Sequence, residues 1–229
     1  MKEARISEIF VSYQGEASYA GSRQLFVRFF GCNLKCSYCD TPQASYRTFS
    51  PGSLLGRVLE MGRYNELALT GGEPLLYAEF LKVFLGSYKG TSPGKVYLET
   101  NGILHAEFSE IKENIDVISM DIKLPSSSPG QREHYGEHAD FIRACTGKKT
   151  VIKMVITSDT NIDDIKKAAD LLGCADPLTE VFLQPVSVCN ENIGPPDGEM
   201  LDYFKGYLTK NTDKHIAVTG QFHKLLGIR

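Results

Sequence analysis

The stretch QLFVRFFGCNLKCSYCDT, residues 24–41, decides how the chain is read. It opens on an apolar, aromatic and β-branched run that predicts a strand over 24–30. It then passes into three cysteines spaced C-x3-C-x2-C: Cys32, Cys36 and Cys39. Gly31, Asn33 and Ser37 favour a loop able to wrap round something compact. Three thiolates can hold three irons of a 4Fe–4S cube, which leaves the fourth iron open to a small molecule. Zinc is the rival reading, but structural zinc takes four Cys or His ligands. The fourth is missing locally and no second cysteine pair follows. His105, His134, His138, His215 or His223 could supply it only through tertiary folding. Ligand count therefore favours an iron–sulfur cluster with an open site. Cys145, Cys174 and Cys189 stand alone and read as small buried hydrophobes.

Outward from this loop, short apolar runs predict further strands over 66–70, 95–100, 116–121, 150–157, 180–186 and 215–219. Helical patterns lie between them. One covers 51–64, with Ser50 as N-cap and Pro51 at the first helical position; another covers 77–88, with Phe80, Val83, Phe84 and Tyr88 on one face. Two more cover 161–172 and 197–208. Alternating strands and helices predict an α/β fold, and six or seven such units are too few to close an eight-stranded barrel. The expected architecture is an open partial (β/α) barrel of about six parallel strands, one domain spanning 1–229. The polar stretch PSSSPG, 125–130, reads as a loop after a strand, where parallel α/β folds bind ligands.

With 229 residues, 42% hydrophobic and 23% charged, the chain is long enough to bury a core. A formal charge of −3 gives no reason to expect nucleic acid or a membrane surface. The N-terminus lacks the apolar core of a secretory signal, and no run reaches the ~20 apolar residues of a membrane span. A cytoplasmic location is expected.

The cysteine spacing, with the aromatic Tyr38 just before the last cysteine, resembles the cluster motif of the radical S-adenosylmethionine superfamily. TGGEP at 70–74 resembles that superfamily's GGE motif, and its glycines let backbone approach a ligand closely. Five stretches narrow the resemblance: EIFVSYQGEA (8–17), FVRFFGCNLKCSYCDT (26–41), VYLETNG (96–102), DIKLPSS (121–127) and QFHKLLGIR (221–229). Together they are similar to segments of the 7-carboxy-7-deazaguanine synthase family.

The resemblance implies a radical S-adenosylmethionine fold with a 4Fe–4S cluster on Cys32, Cys36 and Cys39. S-adenosylmethionine would sit on the open iron, and Mg2+ at Thr41. It implies conversion of 6-carboxy-5,6,7,8-tetrahydropterin to 7-carboxy-7-deazaguanine with loss of ammonia, a homodimer, and an electron donor such as flavodoxin or ferredoxin. Tyr13, Gln14, Gly15, Arg28, Thr70, His223 and Arg229 match pterin contacts, and the tail 221–229 would close the pocket. Arg28 would grip the substrate carboxylate through two parallel hydrogen bonds. Tyr38, Asp40, Gly72, Glu73, Asp121, Lys123 and Gln184 match S-adenosylmethionine contacts, with Glu73 either facing the ammonium or bracing its loop. Three features depart from the family pattern. Ala17 replaces a glycine, which argues against a positive-φ turn there. Tyr38 replaces tryptophan, and SMDIK (119–123) stands where many members have SPK. Two other classes share parts of the pattern: a glycyl-radical-enzyme activase, and a non-enzymatic zinc or iron–sulfur protein.

Overall fold

The computed structural model describes residues 3–41, 44–92, 94–127, 130, 132–187 and 193–228. Its strands are β1 (Ala4–Tyr13), β2 (Arg23–Phe29), β3 (Arg47–Phe49), β4 (Glu66–Gly71), β5 (Lys95–Thr100), β6 (Val117–Asp121), β7 (Lys149–Ile156), β8 (Glu180–Pro185) and β9 (His215–Val218). They form one open sheet in the order β3-β1-β2-β4-β5-β6-β7-β8-β9. From β2 to β9 every pairing is parallel, so the seven expected strands all form and the parallel run is one longer than about six. β1 adds to this run antiparallel to β2, and β3 antiparallel to β1. β1 was not expected as a strand. Its cavity-facing residues mix Glu8, opposite Arg28, with Phe10, and Ser7, Glu8 and Ser12 confine the apolar run to 9–11, short of the continuous run of a doubly buried strand.

Helices α1 (Pro51–Leu59), α2 (Ala78–Thr91), α3 (His105–Ile111), α4 (Tyr135–Ala144), α5 (Ile162–Leu172), α6 (Gly198–Asn211) and α7 (Phe222–Leu225) fall between or after the strands. Ser50 caps α1 as expected, its Oγ accepting from Ser53 N at 3.2 Å, with Pro51 at the first position. The helix stops at Leu59 rather than at 64, just ahead of Gly62, which takes φ +75°. α2 buries Phe80, Leu81, Phe84, Leu85 and Tyr88, while Val83 is 53% exposed. At ~100° per residue Val83 lies about 60° outside that stripe, so the expected face was wrong by one residue. α3 and α4 were not expected: α3 has only seven residues and neither has a side-chain N-cap. Among the described residues no helix is long and apolar enough to cross a membrane.

The outer face of the sheet packs on the helices through one large core, from Leu25, Val27 and Phe29 on β2 to Val181 and Leu183 on β8. The inner face is filled differently. The excursion between β1 and β2 folds back over it, with Tyr19 tilted against Tyr97 at 5.0 Å between ring centroids and Ala17 packed against Val151 and Phe182. Ala17 takes φ +50°, the one non-glycine residue with positive φ among the described residues, so the expectation of an ordinary turn there is corrected. The crossing demands a left-handed residue, and alanine is the smallest side chain that bears it.

Ala17→Val should therefore destabilise the fold by about 2 kcal/mol or more in urea unfolding, because a β-branched residue resists this backbone. Ala17→Gly should stay within about 1 kcal/mol of wild type, relief of strain offsetting the lost methyl contact. Equal losses in both variants would contradict this account.

Candidate active site

A parallel sheet gathers its loops at the carboxyl ends of the strands, and there the chain encloses a cavity of about 620 Å³. Cys32, Cys36 and Cys39 line it together, on the loop leaving β2. Tyr38 anchors this loop, buried against Val155, Val186, Ile193 and Cys36. Ser37 Oγ donates to Ser127 O at 3.4 Å, Cys39 N to Cys36 O at 3.1 Å, and Leu34 N to Cys32 Sγ at 3.4 Å. Among the described residues no three Cys, His, Asp or Glu side chains gather as they would round a single ion. Three of the histidines are placed so that they cannot complete a zinc site. His138 is spent between Gly102 O (3.1 Å) and the Lys123 N–H (3.0 Å), while His105 and His215 point into solvent. Three thiols lining one cavity, with unpartnered buried polar atoms on residues of the same lining, fit a cluster that carries a small-molecule ligand.

Those polar atoms are Asn101 Oδ1, Asp121 Oδ1 and Gln184 Oε1, each buried with no protein partner although its residue lines the cavity. Unpaired buried acceptors are costly, and a polar ligand would satisfy them. Gly71 and Gly72 bring the end of β4 close in. At Gly71, φ +126°, a Cβ would stand 2.3 Å from Phe29 O. Glu73 is turned away from the cavity and fully buried. It accepts from Leu75 N (3.0 Å), Asn101 N (2.8 Å) and Thr100 Oγ1 (3.0 Å), so it braces the loop. Burial pushes its carboxyl up to about 7, although these donors pull the other way.

Opposite the thiols lies a charged wall. Arg28 Nε donates to Glu8 Oε2 at 2.9 Å, with the guanidinium over the Phe10 ring. Thr70 Oγ1 and Gln14 Nε2 both donate to Glu99, at 2.5 and 2.8 Å. Gln14 also accepts from Gly15 N and Glu16 N, so its side chain holds the turn in shape. Deeper in, Glu16 pairs with Lys153 and accepts from Gln184 Nε2 at 3.3 Å. Burial would raise the Glu16 carboxyl, but the Lys153 charge and donors outweigh it and hold it low. Lys123 Nζ bonds Asp121 Oδ2 at 3.0 Å and lies over the Tyr38 ring. Burial opposes the charged form of Asp121 too, yet Lys123 and Lys153 keep it below the usual range.

The C-terminal tail contributes Gln221, His223 and Lys224 to the lining of the cavity. Gln221 Nε2 donates to Glu16 Oε1 (2.8 Å) and Asp40 Oδ2 (3.2 Å), its Oε1 accepts from Ser187 Oγ (2.5 Å), and Lys224 pairs with Asp40. His223 seats against Gly15, where a Cβ would meet its Nδ1 at 2.1 Å. Tyr13 and Thr41 also line the cavity; Arg229 and Cys189 lie outside the described residues. Cys145 is buried and Cys174 half-buried, away from the cavity. Sequence reading did not single out Glu16, Glu99, Asn101, Gln221 or Lys224, although each stands inside a quoted motif. Lys153 had its own signal, a lone charge in the apolar strand VIKMVI, where a buried lysine requires a partner.

Residues 26–172 match the model of the radical SAM superfamily, which fixes the class. A 7-carboxy-7-deazaguanine synthase of Geobacter sulfurreducens is 34% identical over 215 residues, covering 83% of this chain and 85% of that protein. One of Methanothermobacter thermautotrophicus is 33% identical, covering 100% and 99%. The chain belongs to the 7-carboxy-7-deazaguanine synthase family. The crystal structure of QueE from Escherichia coli shares the fold at a TM-score of 0.65 and 16% identity, covering 95% of this chain and 94% of that one. A domain of a pyruvate-formate lyase-activating enzyme from Bacteroides vulgatus reaches 0.54 at 19% identity, covering 68% of this chain and 99% of that one, a likeness of fold alone.

Two outcomes follow from this geometry. His138 is fully buried and its pKa is driven down to about 4, burial being the main cause, against an ordinary value of 6.5. A depressed histidine supplies stability above 6.5 that is lost as pH falls towards 4, about 3 kcal/mol in all. His138→Gln should therefore gain on wild type by about that amount between pH 6.5 and 4 in urea unfolding; parallel profiles would refute it. Gly15→Ala should unseat the tail, so that limited proteolysis cuts 221–228 at least ~10-fold faster while the core melts within about 1 kcal/mol of wild type. An equally protected tail would show that His223 is not seated on Gly15.

Proposed function

We propose that the chain converts 6-carboxy-5,6,7,8-tetrahydropterin to 7-carboxy-7-deazaguanine with release of ammonia. The observation that carries this reading is Arg28, set in the wall of the same cavity that the three cysteines line. When bound, the 4Fe–4S cluster with S-adenosylmethionine on its open iron supplies a 5′-deoxyadenosyl radical. The chain's own residues then have separable tasks. Arg28, held on one edge by Glu8, presents its guanidinium to the substrate carboxylate. Glu99, fixed by Thr70 and Gln14, accepts from the N–H groups of the pterin ring. Gly72 backbone, Asn101, Asp121, Lys123 and Gln184 meet the polar groups of S-adenosylmethionine, and Tyr38 and Asp40 shape that end of the pocket. The tail, to which His223 and Arg229 belong, keeps solutes that could donate a hydrogen atom away from the radical.

Thr41, a hard oxygen donor beside Cys39, is assigned to Mg2+. The chain is read as one radical S-adenosylmethionine domain over 1–229, working as a cytoplasmic homodimer reduced by a flavodoxin or ferredoxin. Its formal charge of −3 gives no electrostatic reason to expect nucleic acid or a membrane surface as a partner.

The test is anaerobic reconstitution, reduction with dithionite, and mass spectrometry of products from S-adenosylmethionine and the pterin, with Cys36→Ala as control. Formation of 7-carboxy-7-deazaguanine in wild type alone is the expected result. Deoxyadenosine without that product would remove the substrate assignment. Arg28→Ala should raise KM for the pterin about 10- to 100-fold, the worth of a charge-assisted hydrogen bond. Arg28→Lys should recover little, because a point charge does not replace the fork. An unchanged KM would move the carboxylate elsewhere.

A further inference from the structure

The turn after β5 brings one neutral amide to the cluster loop. Asn101 is 6% exposed, and its Nδ2 donates to Asn33 Oδ1 at 2.7 Å and lies 3.9 Å from Cys32 Sγ, within reach of an N–H···S bond. The Leu34 N–H approaches the same sulfur at 3.4 Å. Asn101 is not free to turn away. Its own N–H is held by Glu73 at 2.8 Å, and the next residue, Gly102, takes φ +68° where a Cβ would strike Met120 Cε at 2.6 Å. The turn is thus fixed from behind and aims the amide at the first cysteine.

We propose that Asn101 is a positioning residue for the cluster: its side-chain N–H donates to the Cys32 thiolate and raises the reduction potential of the iron bound there. This rests on the reading of Cys32 as a cluster ligand. A donor to a coordinating sulfur draws electron density from the iron and favours the reduced state, and hydrogen bonds to the sulfurs are among the factors that set cluster potentials. Because Glu73 and Asn33 already fix the amide, little ordering entropy opposes the bond when the cluster is in place.

The experiment is a redox titration of the reconstituted holoenzyme followed by electron paramagnetic resonance, with iron and sulfide counted in each sample. Asn101→Leu keeps the volume and removes the donor, and its midpoint should fall below wild type at full iron content. Asn101→Asp replaces the donor by a charge and should fall further; it carries the comparison if the leucine variant does not hold iron. A midpoint equal to wild type in either iron-loaded variant would overturn the proposal. A wild-type chain that takes up no iron and sulfide would fail the cluster reading itself, and this inference with it.

Discussion

One buried carboxylate holds the working edge of this sheet together. Glu73 has no exposed surface, yet it collects Leu75 N, Asn101 N and Thr100 Oγ1, while its own N–H donates to Gly31 O at 2.9 Å. The ends of β2, β4 and β5 are thereby tied to a single residue, β4 and β5 through its carboxylate and β2 through its backbone N–H. Removing such a group from water is expensive, as its raised pKa of about 7 records, and only a nearly complete set of donors makes it tolerable. Satisfied networks of this kind rigidify what they join. The consequence is a cysteine loop and a glycine turn that keep their relation to one another before any ligand arrives.

Around that frame the cavity is lined with charges already matched to one another. Glu16 with Lys153, Asp121 with Lys123, and Glu8 with Arg28 alternate along its wall. Buried ion pairs contribute little net stability against the cost of drying them, so their worth here is fixed orientation, which is what a preorganised site requires. The tail extends the same logic to the mouth. Gln221 and Lys224 fasten it to Glu16 and to Asp40, the neighbour of Cys39, so the tail and the cluster loop share bonds.

The sequence was most legible where burial is simple. Strands covered on both faces, such as VIKMVI in β7, announce themselves as apolar runs, and the cysteine spacing marks its loop by ligand count alone. It was least legible where the inner face turns polar. β1 carries Glu8 towards Arg28 and keeps only the short apolar run 9–11, although its segment stood inside a recognised motif. Ala17 at φ +50° could not be foreseen, because tertiary packing of the crossing overrides the residue's own preference. Gln14 was expected as a substrate contact and Glu73 as either a ligand contact or a brace; both side chains are bonded within the protein, and a motif names a residue without saying which way its side chain turns.

The most direct test of the central claim is amide hydrogen exchange in wild type and in Glu73→Ala, without cluster or substrate. If Glu73 ties the three strand ends, exchange at Leu75, Asn101 and the 31–34 loop should accelerate sharply in the variant, while amides in β7 and β8 keep their protection. Unchanged protection at Leu75 and Asn101 would contradict the account, and would mean that the cysteine loop owes its order to something other than this carboxylate.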